Sequence, residues 1–234
     1  MDKKIKLIII LSLLACGIHG SMLLSPFSNY LYTSIAKIFL FTLAPIMYFK
    51  ISGAGSIKDI FAFFKIKDLS GKLLPGMKLA FLLGLGTFIV VAVAIQLAIP
   101  FMDKDIVTYA LEANSINPGN IVFVFFYIVI INAALEQFFF RGFTFMWLLK
   151  ESQHKRNRRF AHAYSSLLFS FYHIPILFGA VNIGLLILAT IGLIAAGLIF
   201  NEVAIRLKSI AGSLVVHISA NLAISLMVGI HFIF

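Results

Sequence analysis

Residues 120–149 form an almost unbroken apolar run, yet Ala133-Ala134-Leu135-Glu136-Gln137-Phe138-Phe139-Phe140-Arg141-Gly142 sits at its centre. A run of this length fits a helix crossing a hydrocarbon core of roughly 30 Å at 1.5 Å per residue. A carboxylate or guanidinium at mid-bilayer costs about 2.5 to 3.5 kcal/mol on insertion scales. Glu136 and Arg141 therefore need partners from other helices, and ionisable groups so placed point to a functional site.

The same signature recurs along the chain. Further apolar runs cover residues 7–24, 30–49, 77–100, 160–179, 183–200 and 209–232, and none shows the strict alternation of a lipid-facing barrel strand. Apolar residues make up 61% of the 234 positions and charged ones 12%, against a soluble average of about 45 to 50% and 25%. The expected fold is an all-α polytopic transmembrane bundle of about seven spans with a cytoplasmic N-terminus. It divides into N-terminal membrane helices with an inner amphipathic loop (1–119) and a helical core that carries the buried charged groups (120–234), joined as one integral membrane unit.

A net charge of +10 raises the question of nucleic acid, and the placement of the basic residues answers it. Lys3, Lys4 and Lys6 precede the first span, six lysines lie in 50–78, five basic residues in 150–159, and Arg206 and Lys208 follow the sixth span. Sixteen of the nineteen Lys and Arg thus fall on one side, which the positive-inside rule assigns to the cytoplasm. The surplus orients the protein and faces anionic lipid, so nucleic acid is excluded as a partner. The loop 101–119, with Asp103, Asp105 and Glu112 against Lys104, belongs outside. Residues 57–66 carry apolar positions at helical spacing and read either as a short interfacial helix or as a segment packed on other loops. Lys37, inside the second span, is expected to snorkel toward the outer surface. Cys16 is the single cysteine, so no internal disulfide and no cysteine metal cluster forms; Leu13-Leu14-Ala15-Cys16 is lipobox-like, an alternative to an uncleaved first span.

Of nine acidic residues only Glu136 lies within a span, and of six histidines His173 and His217 are at depth. His154 and His162 sit near the inner surface, and His19 and His231 near outer helix ends. At 1.5 Å per residue, Glu136 and His173 lie roughly 20 Å from the cytoplasmic helix ends, Asn221 roughly 18 Å, and His217 and Arg141 roughly 12 Å. These five groups occupy one layer. His217 and Asn221 share a helix face at i,i+4 spacing, as do Phe169 and His173, and Asn132 and Glu136. Arg141 points elsewhere, which suits support of the site better than contact with a substrate.

Glu136-Gln137-x-x-x-Arg141, Phe169-x-x-x-His173 and His217-x-x-x-Asn221, in this order on successive membrane helices, resemble the CAAX protease and bacteriocin-processing family of intramembrane endopeptidases. The resemblance covers residues 120–232. That family usually carries two consecutive glutamates in its first motif; here the second is Gln137, while Glu136 matches the one assigned to water activation.

The resemblance implies hydrolysis of a peptide bond in a membrane-associated protein or peptide, with the bilayer as the other partner and a bacterial plasma membrane as the location. Glu136 and His173 would hold and deprotonate the water; His217 and Asn221 would stabilise the oxyanion; Arg141, Gln137 and Phe169 would support them. No cofactor is the favoured expectation. A metal version instead uses Glu136, His173 and His217 as three ligands to Zn²⁺ with water in the open position. Two other classes stay open: a non-catalytic bacteriocin-immunity or scaffold member of the same family, and a proton-coupled transporter, although no internal repeat is visible.

Overall fold

The computed structural model describes residues 2–25, 29–66, 72, 74, 76–102, 104–113, 116–151, 155–178 and 181–232. Lys67, Asp68, Asp103 and His154 lie outside the described residues. The described chain is helical without a named strand; the extended contact between Phe178 and Val181 is an isolated bridge.

We number the helices in chain order: α1 (Lys3–Leu23), α2 (Tyr30–Ser52), α3 (Ile57–Phe61), α4 (Met77–Ala98), α5 (Lys104–Ala113), α6 (Ile121–Lys150), α7 (Lys155–Leu177), α8 (Ile183–Leu207) and α9 (Ala211–Phe232). Local sequence explains several boundaries. Asp2 accepts from the Lys4 amide, Asn29 from Tyr32 and Asn182 from Leu185, each supplying an acceptor to a helix start. Gly53, at φ 62°, ends α2 in the left-handed region, where a residue without Cβ is unstrained.

Seven of these helices are long, and six are both long and apolar enough to cross a membrane. The exception is α7, which the sequence reading counts as a span. Its polar content has a structural cause: Ser165, Ser166 and Ser170 are fully buried, so α7 turns hydroxyls toward its neighbours rather than toward lipid. α4 is the opposite case, burying only Met77, Ala80 and Gly84; a Cβ on Gly84 would meet Ser219 Oγ at 2.7 Å, so this glycine lets α4 approach α9 closely. Large apolar side chains such as Leu31, Phe39, Leu82, Val90, Phe123, Ile183 and Leu188 are exposed around the bundle, which is the surface an integral multi-pass membrane protein offers to lipid.

The basic segments meet at one end. Lys4 pairs with Glu151 at 3.7 Å, Lys150 lies 4.0 Å over the Trp147 ring, and the hydroxyl of Ser209 donates to the Lys65 carbonyl at 2.5 Å. The 57–66 segment is helical only over α3 and packs inward: Ile60 is buried against Gly142, and Phe61 and Phe63 face the rings of Phe138 and Trp147. Its contacts are thus with a helix of the bundle, residues 121–150, rather than with other loops.

Helix α6 is not a uniform α-helix. Tyr127–Asn132 and Gln137–Trp147 are π-helical and flank one α-helical turn, Ala133–Glu136. Such wide turns collect at functional positions because they re-aim side chains that an α-helix would spread around its axis. An aromatic core surrounds this helix, with Phe41 stacked on Phe139 at 4.0 Å and Phe140 edge-on to Phe169 and tilted against Tyr172.

Candidate active site

Glu136 is 1% exposed, which makes its environment decisive. Its Oε1 accepts from Lys37 Nζ at 2.5 Å and from Asn132 Nδ2 at 3.1 Å, and Lys37 donates in turn to Asn132 Oδ1. Lys37 does not snorkel. It is 5% exposed, lies 4.9 Å from the Tyr172 ring centroid and 5.7 Å from that of Phe41, and neutralises the carboxylate instead of reaching for the surface. The cause is the high cost of an uncompensated charge on either side of the pair, which outweighs the freedom of a lysine stem. His19 of α1, expected near an outer helix end, is buried beside this pair and donates from Nε2 to the Thr33 carbonyl at 3.1 Å.

The other carboxylate oxygen, Oε2, is buried without a hydrogen-bond partner in the protein. It faces His173 Nε2 at 3.7 Å and His217 Nε2 at 3.5 Å. The second nitrogen of each imidazole fixes what the first presents. His173 Nδ1 lies 2.7 Å from the Phe169 carbonyl, which only accepts, so Nδ1 carries the proton and Nε2 of the neutral ring offers a lone pair. His217 Nδ1 lies 3.0 Å from Gln137 Nε2. The Ser213 hydroxyl faces both the Gln137 oxygen and the Ile210 carbonyl at 2.9 Å; when it donates to Gln137, the Gln137 amide donates to His217 Nδ1, and the neutral ring carries its proton on Nε2. One histidine thus presents an acceptor and the other a donor to the same carboxylate oxygen.

The remaining residues singled out from the sequence form the frame. The Arg141 guanidinium is buried between the rings of Phe169 and Phe200, 4.2 and 4.8 Å from their centroids, and its Nη2 donates to the Gly197 carbonyl at 3.5 Å. Those rings back the histidines, with Phe169 4.6 Å from His173 and Phe200 stacked 5.1 Å from His217. Asn221 is 8% exposed and donates from Nδ2 to the Ile128 carbonyl at 2.9 Å, in the first π-helical stretch of α6. Glu136, His173 and His217 are therefore brought together directly, and Asn221 is tied to backbone beside them. Lys37 and Ser213 are the partners that sequence reasoning missed. The signal for Lys37 was its place inside an apolar run; nothing in the spacing distinguished Ser213 from other small residues of α9. Among the described residues, no group of three or more His, Cys, Asp or Glu side chains has the arrangement of a metal cage.

Fold and site together define an all-α, multi-pass membrane protein with a lysine-paired carboxylate and two imidazoles enclosed inside its helices. Residues 118–223 match the family model described as Rce1-like, type II CAAX prenyl endopeptidase Rce1-like, so this part of the chain is similar to the CAAX protease family. The match begins just before α6 and ends just after Asn221, so it contains Glu136, His173 and His217 but not Lys37. No curated protein and no solved structure matches the chain. An intramembrane protease of the CAAX kind is the class of activity this match supports.

Proposed function

We propose that the protein is an intramembrane endopeptidase that cleaves a membrane-associated protein or peptide with a water activated by Glu136 and His173. The observation that carries this reading is the bare Glu136 Oε2, 3.7 Å from an imidazole lone pair on one side and 3.5 Å from an imidazole N–H on the other. Two acceptors that close repel each other unless donor hydrogens lie between them, and the two O–H groups of one water satisfy both. As the water oxygen attacks the scissile carbonyl carbon, Glu136 or His173 takes its proton. The carbonyl π electrons move to oxygen, where the His217 Nε2–H and the second Asn221 N–H stabilise the oxyanion. Collapse of the tetrahedral intermediate expels the amide nitrogen, which receives the proton.

Lys37 and Asn132 hold Oε1, so that only Oε2 points to the reactant. In the metal version, His217 would have to surrender Nε2–H to become a ligand, and the ion would share a carboxylate with an ammonium. These features favour catalysis without a metal. A bacterial plasma membrane is the proposed location, as the family resemblance implies, with the basic loops facing the cytoplasm.

A second reading has its own support. The Lys37–Glu136 pair and Gln137 would also suit a family member that keeps the fold as a scaffold or immunity protein without hydrolysis. One experiment separates these readings: peptidomics of membranes carrying wild type or Glu136→Gln, each with and without a chelator. The proposal expects peptides that vanish in Glu136→Gln and persist with chelator. Chelator-sensitive peptides would restore the zinc version, and identical peptidomes would favour the scaffold.

A further inference from the structure

A second built feature lies away from the carboxylate, at the end of the bundle where the basic segments gather. Between the first turns of α7 and the last turns of α8 there is a cleft of about 590 Å³ lined by Arg158, Arg159, His162, Ala163, Leu198 and Glu202. Its floor is fixed. Gly197 of α8 lies against Ser166 of α7 so closely that an added Cβ would sit 2.9 Å from the Ser166 Cα, and Asn201 donates to the Ser166 hydroxyl at 3.1 Å and to the His162 carbonyl at 3.4 Å. The His162 ring is held edge-on to Phe145 at 4.7 Å.

The cleft carries excess positive charge. Glu202, its one acid, is bonded by Arg206 Nε at 2.7 Å, so it does not balance both exposed arginines. Its wall is apolar and continuous with lipid-facing surface: Leu198 is 43% exposed, and Ile199, Ile191 and Leu188 continue the exposed face of α8. A ligand matching this surface has an anionic head and a hydrocarbon body. Guanidinium pairs bind phosphate oxygens bidentately, and a basic pocket between membrane helices suits a lipid headgroup.

We propose that this cleft binds the phosphate headgroup of an anionic phospholipid, Arg158 and Arg159 holding the phosphate while an acyl chain follows Leu198 and Ile191. The site is independent of the proposed proteolysis. The test is native mass spectrometry of the full-length protein titrated with phosphatidylglycerol or phosphatidylcholine, comparing wild type, Arg158→Gln/Arg159→Gln and the control Lys58→Gln/Lys65→Gln, which removes two exposed lysines elsewhere. At about 1 kcal/mol per basic residue, the arginine variant loses roughly 10- to 30-fold in affinity for phosphatidylglycerol. The control retains wild-type affinity, and phosphatidylcholine binds weakly throughout. Leu198→Glu, which keeps both arginines but places a carboxylate in the wall, also loses the lipid. Equal losses in the arginine and lysine variants would reduce the effect to bulk charge and overturn the proposal. Displacement of the lipid by inorganic phosphate or by a soluble acidic peptide at equal concentration would overturn it by reassigning the cleft.

Discussion

Replacing Lys37 by methionine keeps the apolar length of the side chain and removes its charge. In the folded protein this leaves Glu136 ionised or forces it to protonate, with Asn132 Nδ2 as its one remaining hydrogen-bond donor. Breaking a buried pair by deleting one member costs about 3 to 5 kcal/mol, because the survivor stays desolvated. The loss here belongs in that range: both charges are almost fully enclosed, and Lys37 also gives up its bond to Asn132 and its place over Tyr172. For a chain of this size, about 1 kcal/mol corresponds to roughly 2 to 4 °C in Tm, so thermal unfolding in lipid nanodiscs should show a fall of roughly 6 to 20 °C. The double variant Lys37→Met/Glu136→Gln leaves no uncompensated charge and should recover most of that fall, giving a coupling of about 2 to 3 kcal/mol. Lys37→Arg, which keeps the cation, should stay closer to wild type. If Lys37→Met shifts Tm by less than 2 °C, or if the two single changes simply add, the ammonium is not holding the carboxylate and the account of the site fails at its root.

Other consequences are more local. Gly142→Val would drive its side chain into Ile60, and overpacking of this kind costs about 1 to 3 kcal/mol; proteolysis near residues 57–66 should accelerate while the central helix stays protected. Gln137→Glu would replace the donor facing His217 Nδ1 by an acceptor, so ¹⁵N NMR of the ring should show Nδ1 changing from unprotonated to protonated; an unprotonated Nδ1 in both proteins refutes the Gln137 assignment. Asp59, outside the spans, accepts from the Ser56 amide at 2.7 Å and its hydroxyl at 3.1 Å, and these bonds hold its carboxyl below the usual range. The capping box therefore stabilises α3 at a pH above the carboxyl's unfolded value and is lost as pH falls through the folded one. Asp59→Asn should remove that acid-side dependence from amide exchange in residues 56–61.

The sequence was most informative where a single residue contradicts its surroundings. Glu136 in an apolar run demanded partners, and matched depths singled out His173 and His217 from four other histidines. Those inferences use only helix rise and the dielectric cost of charge, which act along one chain segment. The same logic applied to Lys37, but a lysine stem has a cheap alternative in snorkelling. Which outcome wins depends on where α2 packs against α6, a relation that no local pattern encodes. The π-helical stretches were hidden for a related reason. Their wider turns arise in the packed context of Asn132, Glu136 and Gln137, while the residues themselves are ordinary helix or membrane residues. The role of Gln137 depends on Ser213, 76 positions later.

The position of Lys37 bears on how the site is assembled. The family match starts at residue 118, so the histidines, the carboxylate and their aromatic backing all belong to the matched helices, whereas the counter-charge arrives from α2. A carboxylate that depends on a distant helix for its charge balance couples the packing of the first two helices to the chemistry of the core. α1 contributes to the same layer through His19, whose ring lies 5.4 Å from Tyr172, the residue next to His173 that also carries the Lys37 ammonium over its face. Displacing α2 would expose one charge of the pair without its partner, at a cost comparable to much of the stability of a small domain. The N-terminal helices are thus energetically part of the site even though the family motifs lie entirely outside them, and a core built from residues 118–223 alone would enclose Glu136 without the cation that balances it.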